Sequence, residues 1–145
     1  MSLAQGKEKE REFASMFNNV SFANKTQDIK EHWDVSVTYD VKSLKRINRK
    51  GVPDENVHWI EFVNVRGGTG WLYGKADFFA FETLDYWVIV SRSKLQEFIE
   101  AKCKNKEWTN TKELYKLYRR EGRKDIITLV KTIDLMCIAS KIICK

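Results

Sequence analysis

The spacing of apolar residues predicts a helix followed by a series of strands in the first part of the chain. Phe13, Met16 and Phe17 follow an i, i+3, i+4 spacing, which predicts a helix over 6–18. Stretches rich in β-branched and aromatic residues then predict strands in HWDVSVTYDVKSL, VHWIEFVNV, WLYGKADFFAFET and DYWVIVS. The glycine-rich RGGTG, residues 66–70, predicts a hairpin turn.

The rest of the chain predicts further helices around one more strand. SRSKLQEFIEAKC begins with a Ser-x-x-Lys cap and continues as an amphipathic helix. TNTKELYKLYRREGR predicts a short helix that stops at Gly122, DIITLVKT a strand, and IDLMCIASKIICK a final helix. The order of elements predicts one mixed α/β domain over 1–145. Its first residues, 1–5, are expected to be disordered or a cloning remnant.

Composition narrows the class of protein without identifying it. The chain has 145 residues, 43% of them hydrophobic, which suits one domain with its own core. Its net charge of +6 favours a polyanionic partner. The three cysteines have neither CxxC spacing nor partner histidines, so we expect reduced thiols in a cytoplasmic protein. We expect no membrane partner, because no apolar run is long enough to predict a membrane span.

Charged residues stand among β-branched ones in WDVSVTYDVKSLKR, residues 33–46. On one straight strand, Asp34, Asp40 and Lys42 would share one face, and the apolar residues between them would share the other. One interpretation is a strand with its polar face in water and its apolar face in the core. The other is a metal site, in which both carboxylates bind one cation and the lysine acts beside it.

The metal-site interpretation requires a backbone that is not one straight strand. A straight strand rises about 3.3 Å per residue, so Asp34 and Asp40 would lie roughly 20 Å apart. Two carboxylates that share one cation must come within about 4 to 5 Å, since hard cations bind oxygens at about 2 to 2.5 Å. The hypothesis therefore requires a sharp bend between Val35 and Tyr39, although no Gly, Pro or Asn marks one there.

These residues also resemble a known motif. Asp34 followed by Asp40-Val41-Lys42 is similar to the PD-(D/E)xK motif of the restriction-endonuclease-like nucleases, which include restriction enzymes, Holliday-junction resolvases and small phage endonucleases. The later strands and the helix after them also look like that family's core. The resemblance implies a restriction-endonuclease-like α/β fold, with a central mixed β-sheet of about four to five strands flanked by helices.

The resemblance implies an activity as well, the metal-dependent hydrolysis of phosphodiester bonds in DNA. Asp34 and Asp40 would hold Mg²⁺, for which Mn²⁺ would substitute. The backbone carbonyl of Val41 would add an oxygen ligand, and Lys42 would activate the attacking water. The products would carry 5′-phosphate and 3′-hydroxyl ends.

Resolvase-type members of that family carry a metal-linked glutamate on an N-terminal helix, four residues after a glycine. Glu10 follows Gly6 at this spacing, and Glu12 is the alternative. Branched or duplex DNA is the expected partner. A homodimer would suit the cutting of two strands, and no small-molecule cofactor is expected.

Basic residues near the motif and near the C terminus are candidates for contacts to the phosphate backbone. They are Lys45, Arg46, Arg49, Lys50, Arg119, Arg120 and Arg123. The last three accompany tyrosines and form either a base-stacking cluster or a solvated helix face.

Two acidic residues outside the motif also have alternative roles. Glu61 is either a further metal carboxylate or the polar face of its strand, and Asp77 is expected to be structural. For the protein as a whole, the alternative to a nuclease is a catalytically inactive nucleic-acid-binding module of the same fold.

Overall fold

The computed structural model describes residues 7, 8, 11, 21, 22, 24, 31, 32, 35–46 and 51–145. The helix predicted over 6–18 falls largely outside these residues, and its described members Lys7, Glu8 and Arg11 are helical.

Apart from these three helical residues, the described part of the chain forms strands, two α-helices and one 3-10 helix. The strands are β1 (Ser21–Phe22), β2 (Val35–Ser36), β3 (Tyr39–Lys42), β4 (Lys45–Arg46), β5 (Pro53–Asp54), β6 (Val57–Val63), β7 (Phe78–Glu82), β8 (Tyr86–Ser91), β9 (Trp108–Thr109), β10 (Leu117–Tyr118), β11 (Ile126–Lys131) and β12 (Lys141–Cys144). The helices are α1 (Arg92–Lys102), α2 (Thr132–Ile138) and the 3-10 helix Trp71–Tyr73. The predicted α/β class is therefore confirmed.

Two four-stranded mixed sheets take the place of the single central sheet that was expected. One has the order β12-β8-β7-β3, with β3 parallel to β7. The other has the order β6-β11-β10-β9, with β9 parallel to β10. The expectation of one sheet was wrong because β6 pairs along its length with the distant β11, from Val57 opposite Lys131 to Val63 opposite Ile126, and not with β7.

One hydrophobic core joins both sheets to both α-helices. Along β7 and β8, Phe79, Phe81, Val88 and Val90 are fully buried. The other members with no exposed surface come from β6, β11 and the helices: Ile60, Leu72, Leu95, Ile99, Val130 and Leu135. The three cysteines are free. None of the helices in the described part of the chain is long and apolar enough to cross a membrane.

The helix predicted in TNTKELYKLYRREGR is the largest error of the sequence analysis. Tyr115 has φ of 59°, which no α-helix accommodates. Its backbone N–H donates to the carbonyl of Leu129 at 2.9 Å, and Leu114 forms a bridge with Leu129. This stretch thus pairs with β11 and adds to the sheet. The pairing with a distant strand outweighs the local preference for a helix.

Two smaller errors concern the bounds of elements. WLYGKADFFAFET is not one strand, because its first three residues form the 3-10 helix and β7 begins only at Phe78. The final helix α2 ends at Ile138, and the last residues return as β12, antiparallel to β8. Ile142 and Ile143 in β12 are β-branched, which favours a strand.

Candidate active site

The strand β3, which carries Asp40 and Lys42, is fixed at both ends by acidic side chains of the β7 region. Before β3, Asp77 Oδ2 accepts hydrogen bonds from the backbone N–H of Thr38 at 2.7 Å and from its hydroxyl at 3.0 Å. After β3, Glu82 Oε1 accepts the backbone N–H of Leu44 at 2.9 Å. The buried carboxylate of Asp77 thus has the structural role that was expected.

Regular strand structure is interrupted at Val37 and Thr38, between β2 and β3. β2 pairs antiparallel with β1, whereas β3 pairs parallel with β7, so the chain changes its pairing partner at this point. The hydrogen bonds between Thr38 and Asp77 fix the chain at the point where its pairing partner changes. A residue 39 positions away supplies this contact. The sharp bend that the metal hypothesis requires stays a prediction, because Asp34 lies outside the described residues.

Asp40 and Lys42 form an ion pair on one side of β3. Lys42 Nζ lies 3.0 Å from Asp40 Oδ2, and the two side chains are 23% and 32% exposed, respectively. The same ammonium lies 4.1 Å from the centroid of the Trp71 ring. A carboxylate on one side and an aromatic face on the other hold the positive charge in place. Both charged groups remain within reach of a ligand from solvent.

The simple interpretation of this stretch, with its polar side in water and its apolar side in the core, is wrong for β3. Tyr39 and Val41 are 52% and 57% exposed. Asp40 and Lys42 are the more covered residues, because Trp71 lies against the lysine. The side of the strand that carries the charges is therefore the side that faces the rest of the protein.

Trp71 is the site residue that sequence reasoning missed, and the turn before it explains its position. The Gly70 N–H donates to Phe62 O at 2.9 Å, and a Cβ at Gly70 would lie 2.4 Å from Glu61 O, so only glycine fits. The Trp71 N–H then donates to Glu61 Oε1 at 3.2 Å. The predicted RGGTG turn is confirmed, and a tryptophan directly after it was the available signal.

The described residues complete only part of the predicted metal site. Asp40 supplies a carboxylate, the ligand type that Mg²⁺ prefers. Glu10 and Asp34 lie outside the described residues, and so does the alternative Glu12. Within the described ranges, no three His, Cys, Asp or Glu side chains are grouped so that they could hold a metal ion.

The basic residues named as DNA contacts belong to separate segments of the chain. Lys45 and Arg46 lie on β4, directly after the ion pair, while Arg49 and Lys50 lie outside the described residues. The C-terminal arginines stand in the loop after β10 and not on a helix.

Two of those arginines have partners of their own. Arg120 Nη2 donates to Asp125 Oδ2 at 2.6 Å, and the Asp125 side chain is only 3% exposed. The guanidinium carbon of Arg119 lies 5.3 Å from the centroid of the Trp108 ring. Arg123 is exposed in the same loop.

His58 belongs to the core. It is 2% exposed, and its ring meets Phe81 edge-on at 5.2 Å. Burial lowers the pKa of His58 to about 4, against the opposing effects of a hydrogen bond with the Glu82 backbone and of the nearby Asp54 and Glu82 charges. The imidazole is therefore neutral at pH 7.

Comparisons with known proteins find no match for this chain among family models, curated proteins or solved structures. The nuclease resemblance thus depends on the sequence of the chain and on the geometry of Asp40 and Lys42.

Proposed function

We propose that the protein is a metal-dependent endodeoxyribonuclease of the PD-(D/E)xK type, with its active site at Asp40 and Lys42. The observation that carries the proposal is the ion pair of 3.0 Å between these residues on the inward side of β3. Acid-x-Lys occurs often by chance in sequences. A pair that is fixed by a neighbouring strand, backed by an indole ring and accessible to ligands is a more specific arrangement.

Each group of the site has a role in phosphodiester hydrolysis. A divalent cation, held by Asp40 together with Asp34, would polarise the phosphate and the attacking water. The Lys42 ammonium donates hydrogen bonds to that water or to the non-bridging oxygens, and its charge stabilises the anion that develops. Trp71 and Asp40 keep the ammonium in place, so little reorganisation is needed during the reaction.

A nicking assay tests the proposal. Supercoiled plasmid and a four-way junction are incubated with wild type, Asp40→Asn and Asp85→Asn, each with Mg²⁺, Mn²⁺ or EDTA. Asp85 is exposed in the turn between β7 and β8, so its variant controls for the loss of one negative charge. We expect metal-dependent cutting that Asp40→Asn abolishes and Asp85→Asn leaves unchanged.

The alternative, an inactive nucleic-acid-binding module, predicts a different result. Wild type would bind DNA and would cut neither substrate with any cation. Cutting that persists in Asp40→Asn would instead place the active site elsewhere in the molecule.

A further inference from the structure

A cleft with a volume of about 360 Å³ lies beside the candidate active site. Its lining includes Trp59 of β6, Tyr118 of β10 and Trp71 of the 3-10 helix, and we call it the aromatic cleft. The volume is in the lower part of the range for small-ligand pockets, about 300–1,000 Å³. A single flat ring system is therefore a suitable occupant, whereas a duplex is too large to enter.

The rings of the cleft provide a flat apolar surface. The Trp59 and Tyr118 rings are stacked, with centroids 5.8 Å apart and an angle of 23° between their planes. They meet across β11, the strand that separates β6 from β10. Both residues are half-buried, so ring surface remains available. Such surfaces stack on nucleobases of any sequence, because every base has a π face.

One exposed cation at the cleft suits the phosphate of a nucleic-acid chain. Two acids line the cleft: Glu61 accepts the Trp71 N–H through Oε1, and Asp125 pairs with Arg120 through Oδ2. Lys112 is exposed at the cleft. The Lys112 ammonium beside stacked rings matches a phosphate next to a base.

The aromatic cleft and the candidate active site share one residue. Trp71 lines the cleft, and the Lys42 ammonium lies 4.1 Å from the centroid of its ring. Glu61 lines the cleft too and holds the Trp71 backbone. A nucleotide with its base in the cleft would thus contact the tryptophan that also contacts Lys42.

We infer that the aromatic cleft binds one unpaired nucleobase of the DNA chain. The inference rests on the proposed function and gives its substrate class: single-stranded or branched DNA, with the cut near the unpaired nucleotide. A base within an intact duplex would first have to leave the stack, which costs free energy. Intact duplex is therefore the poorer ligand.

Binding of short oligonucleotides, measured by fluorescence anisotropy in EDTA at fixed salt, tests the inference without cleavage. Trp59→Leu and Tyr118→Leu remove one ring each. Trp87→Leu is the matched control, because Trp87 is a half-buried tryptophan of the other sheet. We expect each cleft variant to weaken single-strand binding about tenfold, with little change for Trp87→Leu and for duplex.

A second measurement needs no variant protein, in case a cleft variant fails to fold. Single strands with one abasic nucleotide, placed at each position in turn, are bound to wild type. We expect one position at which removal of the base weakens binding about as much as removal of a ring. Equal affinity at every abasic position, or equal losses in Trp59→Leu and Trp87→Leu, would overturn the inference.

The outcomes also separate the inference from the proposed function. If wild type cuts DNA and base removal has no effect on binding, the nuclease proposal stands and the cleft inference fails. If binding depends on the cleft and no cutting occurs with any metal, the cleft inference stands and the nuclease proposal fails.

Discussion

Two acid–base pairs of this protein have similar chemistry and different surroundings. Asp40 and Lys42 lie two residues apart on an edge strand, with side chains about a quarter to a third exposed. Arg120 and Asp125 close a loop around Gly122, and the Asp125 side chain is 3% exposed.

The difference in exposure separates two roles. The first pair can exchange partners with a cation or a phosphate. In the second pair, Asp125 can hardly meet a ligand, and its charge serves to hold the loop. The charge pattern of the sequence suggests a function for both acid–base pairs. Only the burial of their side chains in the structure distinguishes the two pairs.

The largest effect is expected from removal of the Lys42 charge. Lys42→Met keeps the apolar stem against Trp71 and removes the ammonium. We expect cleavage in Mg²⁺ to fall about 10²–10³-fold, as for the loss of one charge-stabilising donor. Lys131→Met is the control, since Lys131 is exposed at the end of β11. Equal rates for the two variants would remove Lys42 from the mechanism.

The free energy of unfolding, measured against pH, shows whether a core residue or the candidate site controls the loss of stability in acid. The folded protein holds the pKa of His58 near 4, below the 6.5 of an unperturbed histidine. Above pH 6.5 the imidazole is neutral in both states. As the pH falls towards 4, only the unfolded state gains the proton, so folding loses up to about 3 kcal/mol.

The His58 expectation is checked by urea unfolding between pH 7.5 and 4. His58→Asn should remove most of this slope, whereas His32→Asn, at an exposed histidine, should retain it. Parallel pH profiles for wild type and His58→Asn would show that another group titrates.

The buried member of the second pair should affect stability and not chemistry. Asp125→Asn removes the anion that pairs with Arg120 and leaves a neutral amide at the buried position of Asp125. We expect a loss of about 2 kcal/mol in the free energy of unfolding, at the low end for a broken buried pair because Arg120 is partly exposed. Asp85→Asn is the exposed control. A Tm for Asp125→Asn equal to that of wild type would contradict the structural role.

The smallest effect is expected at Lys45, which follows the candidate site on β4. If it contacts one phosphate, Lys45→Met should weaken DNA binding a few-fold and reduce the slope of log K against log salt by about 1. Titrations at several salt concentrations, beside Lys131→Met, measure this slope. An unchanged slope would exclude a phosphate contact by Lys45.

The sequence predicted best those elements that local pattern alone determines. β6, β7, β8, β11 and α1 follow apolar spacing, and Ser91 Oγ caps α1 by accepting the Lys94 N–H at 3.3 Å, as the Ser-x-x-Lys pattern indicated. The predictions were wrong where contacts between residues distant in the sequence determine the local structure. Tyr115 adopts a positive φ to pair with Leu129, and this pairing has no signal within its own stretch.

The same distinction between local pattern and distant contacts applies to the candidate site. The acid-x-Lys spacing placed Asp40 and Lys42 on one side of a strand, and they lie there. The sequence could not show that this side faces inward, because Trp71 reaches it through the contact of Gly70 with β6. Nor could it show the interruption before β3, which depends on the distant Asp77.

The central claim is that catalysis resides at the accessible pair and stability at the buried one. The most direct measurement is the rate of Mg²⁺-dependent plasmid nicking by Asp40→Asn and Asp125→Asn at a temperature where both are folded. The account predicts cutting lost in Asp40→Asn and retained in Asp125→Asn, with the reverse order in Tm. Equal cutting by Asp40→Asn and wild type would contradict it.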